Sequence, residues 1–146
     1  MNFPLVSRQV LEAAELQLQN LNQEYLNYRR RTADIQNSAY QRGRADTTLL
    51  FLPIYDNLLR ALSQPCEDEA FVAGIRMTLK SLVGVLSSLG ITEIPALGET
   101  FDPTVHEALE HVTDPEVGEN TIIRVALTGF RQGDTVLRHA LVVVAN

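Results

Sequence analysis

From Ser7 to Thr48 the chain has no Pro and a single Gly, Gly43. Stepping alternately by three and four residues from Leu11 gives Leu11, Ala14, Leu18, Leu21, Tyr25, Tyr28, Thr32, Ile35 and Ala39. All but Thr32 suit an apolar seam, and the alternation is the a/d pattern of a coiled coil. Gln, Asn, Glu and Arg fill the positions between and suit solvent. The pattern predicts one long helix over residues 1–48, roughly 60 Å if straight, at about 1.5 Å per residue. Such a seam needs a partner helix. A parallel homodimer is the simplest source; an antiparallel helix from the same chain is the alternative.

The seam fades at Arg42 and Asp46, which take the next two a/d slots. Leu52, Tyr55, Leu59 and Leu62 then mark a new apolar face at helical spacing. Pro53 cannot donate to a helical ladder, so a break or bend is expected there. Ser63, Gln64 and Pro65 close the segment. Glu67, Asp68 and Glu69 supply the negative charge that a helix N-terminus favours. Phe71, Ile75, Leu79, Leu82, Leu86 and Leu89 form the stripe of a second helix, and Gly90 sits where a left-handed cap belongs. Two such pairs of short helices over residues 49–90, one from each chain, would make a four-helix bundle.

Beyond Ile91, Gly, Pro and β-branched residues accumulate. Ile122–Leu127 and Val136–Val144 read as strands, with Thr128 to Asp134 as the turn region. The continuously apolar Leu141–Val144 reads as a central strand buried on both faces. Residues 91–146 form a compact β-domain near the lower size limit for independent stability, so docking on the bundle would help it. The expected class is α+β.

Composition narrows what this frame can do. A hydrophobic fraction of 45% argues against wholesale disorder. A net charge of −6 argues against general nucleic-acid binding and against anionic membranes. No apolar run is expected to reach the roughly 18–20 residues of a membrane span. The N-terminus, MNFPLVSRQV, lacks the pattern of a secretory signal, which makes a cytoplasmic location the expectation. The lone Cys66 can form neither an internal disulfide nor a cysteine-based metal site.

Chemistry-bearing patterns are sparse. His106 and His111 are five apart, which does not align them on a helix, and His139 stands alone. Asp102, His106 and Glu107 lie close in sequence, but no nucleophile or glycine-rich turn accompanies them. FDPTVHEAL therefore reads as a packed turn, with Pro103 fixing the backbone. No phosphate-binding loop is present. The expectation is no enzyme, no cofactor and no metal, with any effect on a nucleotide exerted through a partner's site. One charge feature stands out: residues 24–46 carry five Arg and three acids within this acidic chain. Arg29, Arg30 and Arg31 are consecutive. The cluster is either a solvated coiled-coil face or a contact for an acidic protein, with nucleic acid a third choice.

Five blocks, in order, resemble the GrpE family. EYLNYRRRTADI (Glu24–Ile35) is similar to its arginine-bearing helix segment, and LPIYDNLLRAL (Leu52–Leu62) to its LPxxDxLxRAL stretch. VAGIRMTLKSLVGVLSSLGI (Val72–Ile91) resembles its bundle helix, FDPTVHEAL (Phe101–Leu109) the block opening its β-domain, and TGFRQGDTVLRHALVVVA (Thr128–Ala145) its C-terminal hairpin. Phe130 replaces the usual Tyr, and His139 stands where Pro or Ala is common. Thr135 stands where an Arg of the partner-facing side is usual, so that charged contact is not carried over. The acidic tail that precedes the helix in many members is missing here, so any role of that tail should be reduced.

The resemblance implies a homodimeric nucleotide exchange factor. One β-domain would wedge against the nucleotide-binding domain of a DnaK-type chaperone and hold its cleft open, releasing ADP without touching it. It implies two partner surfaces, a β-domain edge at Phe101, Pro103, Val125, Arg138 and Val144 and a helix patch at Arg29, with Gly74 of the bundle helix beside them. Separately, Thr32, Arg42 and Asp46 interrupt the seam, so the long helix is expected to melt first and to sense heat. Gly74 lies between Phe71 and Ile75, and a Gly kept in a helix interior points to close packing there. A coiled-coil dimeric scaffold without exchange activity is the alternative.

Overall fold

A computed structural model of the chain describes residues 7–114 and 117–145. It contains α1 (Arg8–Leu62), α2 (Glu69–Ser88), β1 (Ile91–Glu93), β2 (His106–Val112), β3 (Thr121–Leu127), β4 (Phe130–Gln132), β5 (Thr135–Arg138) and β6 (Ala140–Ala145). The α+β class expected from the pattern holds. Contacts divide the chain into two units, Met1–Gly43 and Arg44–Asn146. Most of the MNFPLVSRQV stretch, residues 1–6, lies outside the described residues.

The first unit is the N-terminal part of α1. Ser7 opens it: its hydroxyl accepts the Val10 amide at 3.4 Å, and its carbonyl accepts the amides of Val10 and Leu11. From Ser7 to Gly43 every residue but Thr32 is exposed, and no residue is buried. The seam therefore has no cover from this chain: Leu11 is 54% exposed, Leu18 67% and Tyr28 65%.

In the second unit α1 continues through Pro53 to Leu62. Of the break or bend expected at Pro53, no break occurs. A proline in a helix interior costs about 3 kcal/mol. Leu52 and Tyr55, on either side of it, are 1% and 4% exposed, and burying such side chains returns about 1.5–3 kcal/mol each. Packing on this turn outweighs the proline. Leu52 and Tyr55 join Leu86, Ile91 and Phe130 in one core, with Leu79, Leu82, Val83 and Leu137 packed around it.

α2 starts at Asp68, whose side chain accepts the Phe71 amide at 3.0 Å. It ends at Leu89, followed by Gly90 at φ 72°, the left-handed residue that the sequence placed there. Arg44 of α1 donates to the Leu89 carbonyl at this end. Contrary to the sequence reading, α2 is long and apolar enough to cross a membrane, by length and composition alone: an 18-residue window has mean hydropathy 1.4. Arg76 and Lys80 sit near its middle, where each charge would cost about 2.5–3.5 kcal/mol in a bilayer.

Among the described residues, six short strands build two three-stranded sheets, ordered β1-β4-β5 and β2-β6-β3. The first is antiparallel throughout. In the second, β6 runs parallel to β2 and antiparallel to β3. Central β6 is buried along most of its length, as its apolar run requires, and anchors a second core of Ala96, Ile122, Ala140, Val142 and Val144. The single strand expected over Val136–Val144 is two strands in different sheets, switching at the exposed His139. The expected turn region contains β4, and the FDPTVHEAL block runs from a turn into β2. The two sheets meet where Gly129 crosses Ala140. A Cβ on Gly129 would lie 2.5 Å from the Ala140 nitrogen, so only glycine fits.

Candidate functional site

The turn before β2 is fixed by its own polar groups. The Asp102 carboxylate accepts the Thr104 amide at 2.8 Å and the Thr104 hydroxyl at 2.7 Å, spanning Pro103. Those two bonds, the hydroxyl's first, hold the Asp102 carboxyl below its ordinary range. His106, 5% exposed, takes the Asp102 amide at Nδ1 (3.1 Å). With Nδ1 accepting, Nε2 carries the proton and donates to the Pro95 carbonyl at 2.9 Å. Both ring nitrogens are thereby engaged in holding the turn. The Phe101 ring lies 6.1 Å from the imidazole and packs, half-buried, on the second core, leaving Pro103 exposed beside it.

Val125 also packs on that core, in β3. With Asp56, Leu59 and Arg60 of α1 it lines a groove of about 440 Å³ between α1 and β3. Phe101, Val125 and Val144 are thus brought together around one core, but only the first two reach solvent. Val144, expected at a partner surface, is 0% exposed and backs the sheet from within. Gly74 is on an exposed stretch of α2, and no atom beyond its own helix lies within 4 Å of where its Cβ would sit. The close packing expected there is not made among the described residues. Arg29 is exposed in the first unit, its guanidinium 5.9 Å from the Tyr25 ring centre.

Arg138 departs furthest from expectation. Its side chain is 18% exposed and pairs with Asp56, 16% exposed, through Nη1–Oδ2 at 2.7 Å and Nη2–Oδ1 at 2.8 Å. Nε and Nη2 also donate to the Thr128 carbonyl at 3.1 and 2.7 Å. The charge expected to face a partner is engaged inside the chain. Beside it Tyr55 donates to Glu93 at 2.8 Å and meets Phe130 edge-on, centroids 5.0 Å apart. Burial pushes the Tyr55 phenol up to about 12, with Glu93 adding to the effect and Thr128 opposing it. The sequence pattern marked neither Asp56 nor Glu93 as a partner in these contacts and counted Tyr55 only as apolar. The available signal was an acid at a fixed place in LPIYDNLLRAL.

Among the described residues, no group of three or more His, Cys, Asp and Glu could hold a metal ion. The fold and these surfaces define an α+β protein in which a helix with an uncovered heptad seam carries a small two-sheet domain. A model of the GrpE family matches residues 6–146. Protein GrpE of Clostridium acetobutylicum is 43% identical over 136 residues, 93% of this chain and 68% of that protein. Protein GrpE of Clostridium beijerinckii is 40% identical over 129 residues, 88% of this chain and 62% of that protein. Protein GrpE of Lactobacillus johnsonii is 39% identical over 148 residues, 92% and 77%. The chain belongs to the GrpE family, a family of co-chaperones, and spans roughly two thirds of the length of the first of these curated relatives.

Proposed function

We propose that this protein is the nucleotide exchange factor of a DnaK-type chaperone, acting as a homodimer in the cytoplasm. The observation that carries this reading is the family match across residues 6–146. The uncovered seam of α1 supports pairing of two chains through Leu11, Ala14, Leu18, Leu21, Tyr25, Tyr28, Ile35 and Ala39. Exposed Phe51, Ile54, Phe71 and Met77 supply apolar surface for a four-helix bundle. The β-domain binds the nucleotide-binding domain in its open state, so ADP affinity falls by linkage rather than by contact with ADP. Driving that domain from mostly closed to mostly open takes about 5 kcal/mol of differential binding.

We infer two contact surfaces, one on the β-domain at Phe101, Pro103 and Val125 and a separate helix patch at Arg29, with Gly74 on α2 as a further sensitive position. Val144 supports the first three from behind. The seam is interrupted by Thr32, Arg42 and Asp46, which supports a heat-sensitive arm whose fraying slows exchange.

Calorimetric titration against the chaperone's nucleotide-binding domain tests the reading. Because coupling is reciprocal, saturating ADP should weaken binding by about 5-fold or more. Arg29→Glu should weaken it in a salt-dependent manner and Gly74→Asp should weaken it with helix content kept. Equal affinity with and without ADP contradicts exchange and favours a dimeric scaffold.

A further inference from the structure

A small domain can act as a wedge only if its seat is stiff. Here the seat is tied by polar groups from separate elements. Asp56 is on α1, Arg138 ends β5, and Thr128 lies between β3 and β4. Four hydrogen bonds of 2.7–3.1 Å converge on the one guanidinium. Its centre lies 5.6 Å from the Phe130 ring, which meets Tyr55, which in turn donates to Glu93 at the end of β1. The joint between helix and sheets is thus tied at two polar points around one aromatic pair.

Stability alone does not call for this arrangement. A buried ion pair is often matched or bettered by apolar residues of similar volume. What a bidentate fork adds is direction: guanidinium and carboxylate must stay coplanar, which fixes the angle between the elements that carry them.

We propose that Arg138, held by Asp56 and Thr128, is a positioning residue for exchange. It locks the β-domain at one angle to α1, so that binding energy opens the partner's cleft instead of bending the joint. This rests on the exchange reading above. A loosened joint should still bind, because the Phe101–Pro103 surface is untouched, but should open the bound domain less often. The signature is a fall in the maximal rate of nucleotide release at an unchanged half-saturating concentration.

The test measures release of a fluorescent ADP analogue from the chaperone against concentration of the full chain and its variants. Asp56→Asn should lower the maximal rate about tenfold with the half-saturating concentration within about twofold. Arg138→Lys keeps the charge beside Asp56 but loses the fork, and should fall between. Thermal unfolding and sedimentation establish that the variants fold and assemble as the parent does. If Asp56→Asn fails to fold, Arg138→Lys decides. Equal maximal rates in the folded variants overturn the proposal. A raised half-saturating concentration at unchanged maximal rate makes Arg138 a contact and overturns it too, as does loss of fold in both. No acceleration by the parent chain overturns the exchange reading, and this proposal with it.

Discussion

At the scale of single residues, the two-sheet domain depends on a close approach and on buried polar groups. Gly129→Ala would place a methyl 2.5 Å from the Ala140 nitrogen and 2.9 Å from its Cα, both backbone atoms with little room to yield. The expected loss is about 1–3 kcal/mol, the usual cost of overpacking, read by chemical denaturation. An unchanged midpoint would mean that the crossing is looser than it stands here. Tyr55 gives a pH test. Its folded value of about 12 lies above the ordinary 10, so the folded state holds its proton longer than the unfolded state. The stability this contributes is complete below about pH 10 and is lost as pH rises toward about 12. Tyr55→Phe should flatten that alkaline loss in thermal melts; a loss of the same size in the variant would place its origin elsewhere. Little of this was legible in the sequence. FDPTVHEAL reads correctly as a packed turn, but the partners of His106 and Arg138 lie 11 and 82 residues away.

Legibility improves at the scale of elements, unevenly. α1's heptads, α2's N-terminal acids and Gly90 are local signals, and the elements stand where those signals put them. Pro53 is also a local signal, yet buried neighbours carried the helix through it. The switch at His139 has no local mark at all. Val136–Val144 is β-prone throughout, and only pairing with β4 on one side and with β2 and β3 on the other divides it. Short β1 and β4 were lost among Gly and Pro for the same reason. The arm is the element most open to test. Replacing Leu18 and Leu21 by Asp should yield monomers in analytical ultracentrifugation, since each chain leaves those leucines uncovered. In the parent, calorimetry should separate a low-temperature helix transition from that of the β-domain. A parent that sediments as a monomer at micromolar concentration would remove the dimer, and a single transition would remove the thermosensing arm.

In the whole molecule the two units differ in what they leave exposed. The first unit leaves its heptad seam exposed, and in the second unit the β1-β4-β5 sheet packs on the end of α1 through Leu52, Tyr55 and Phe130. The surface that the family resemblance pointed to is partly redistributed: Phe101, Pro103 and Val125 remain at or near the surface, whereas Val144 and Arg138 serve the domain from inside. The most direct measurement is the release of a fluorescent ADP analogue from a DnaK-type chaperone, followed by stopped flow with and without this protein. Exchange predicts faster release that saturates with concentration of the added chain and leaves ADP itself unbound by it. Release at the same rate over the full concentration range, with complex formation demonstrated in the same samples, would contradict the account.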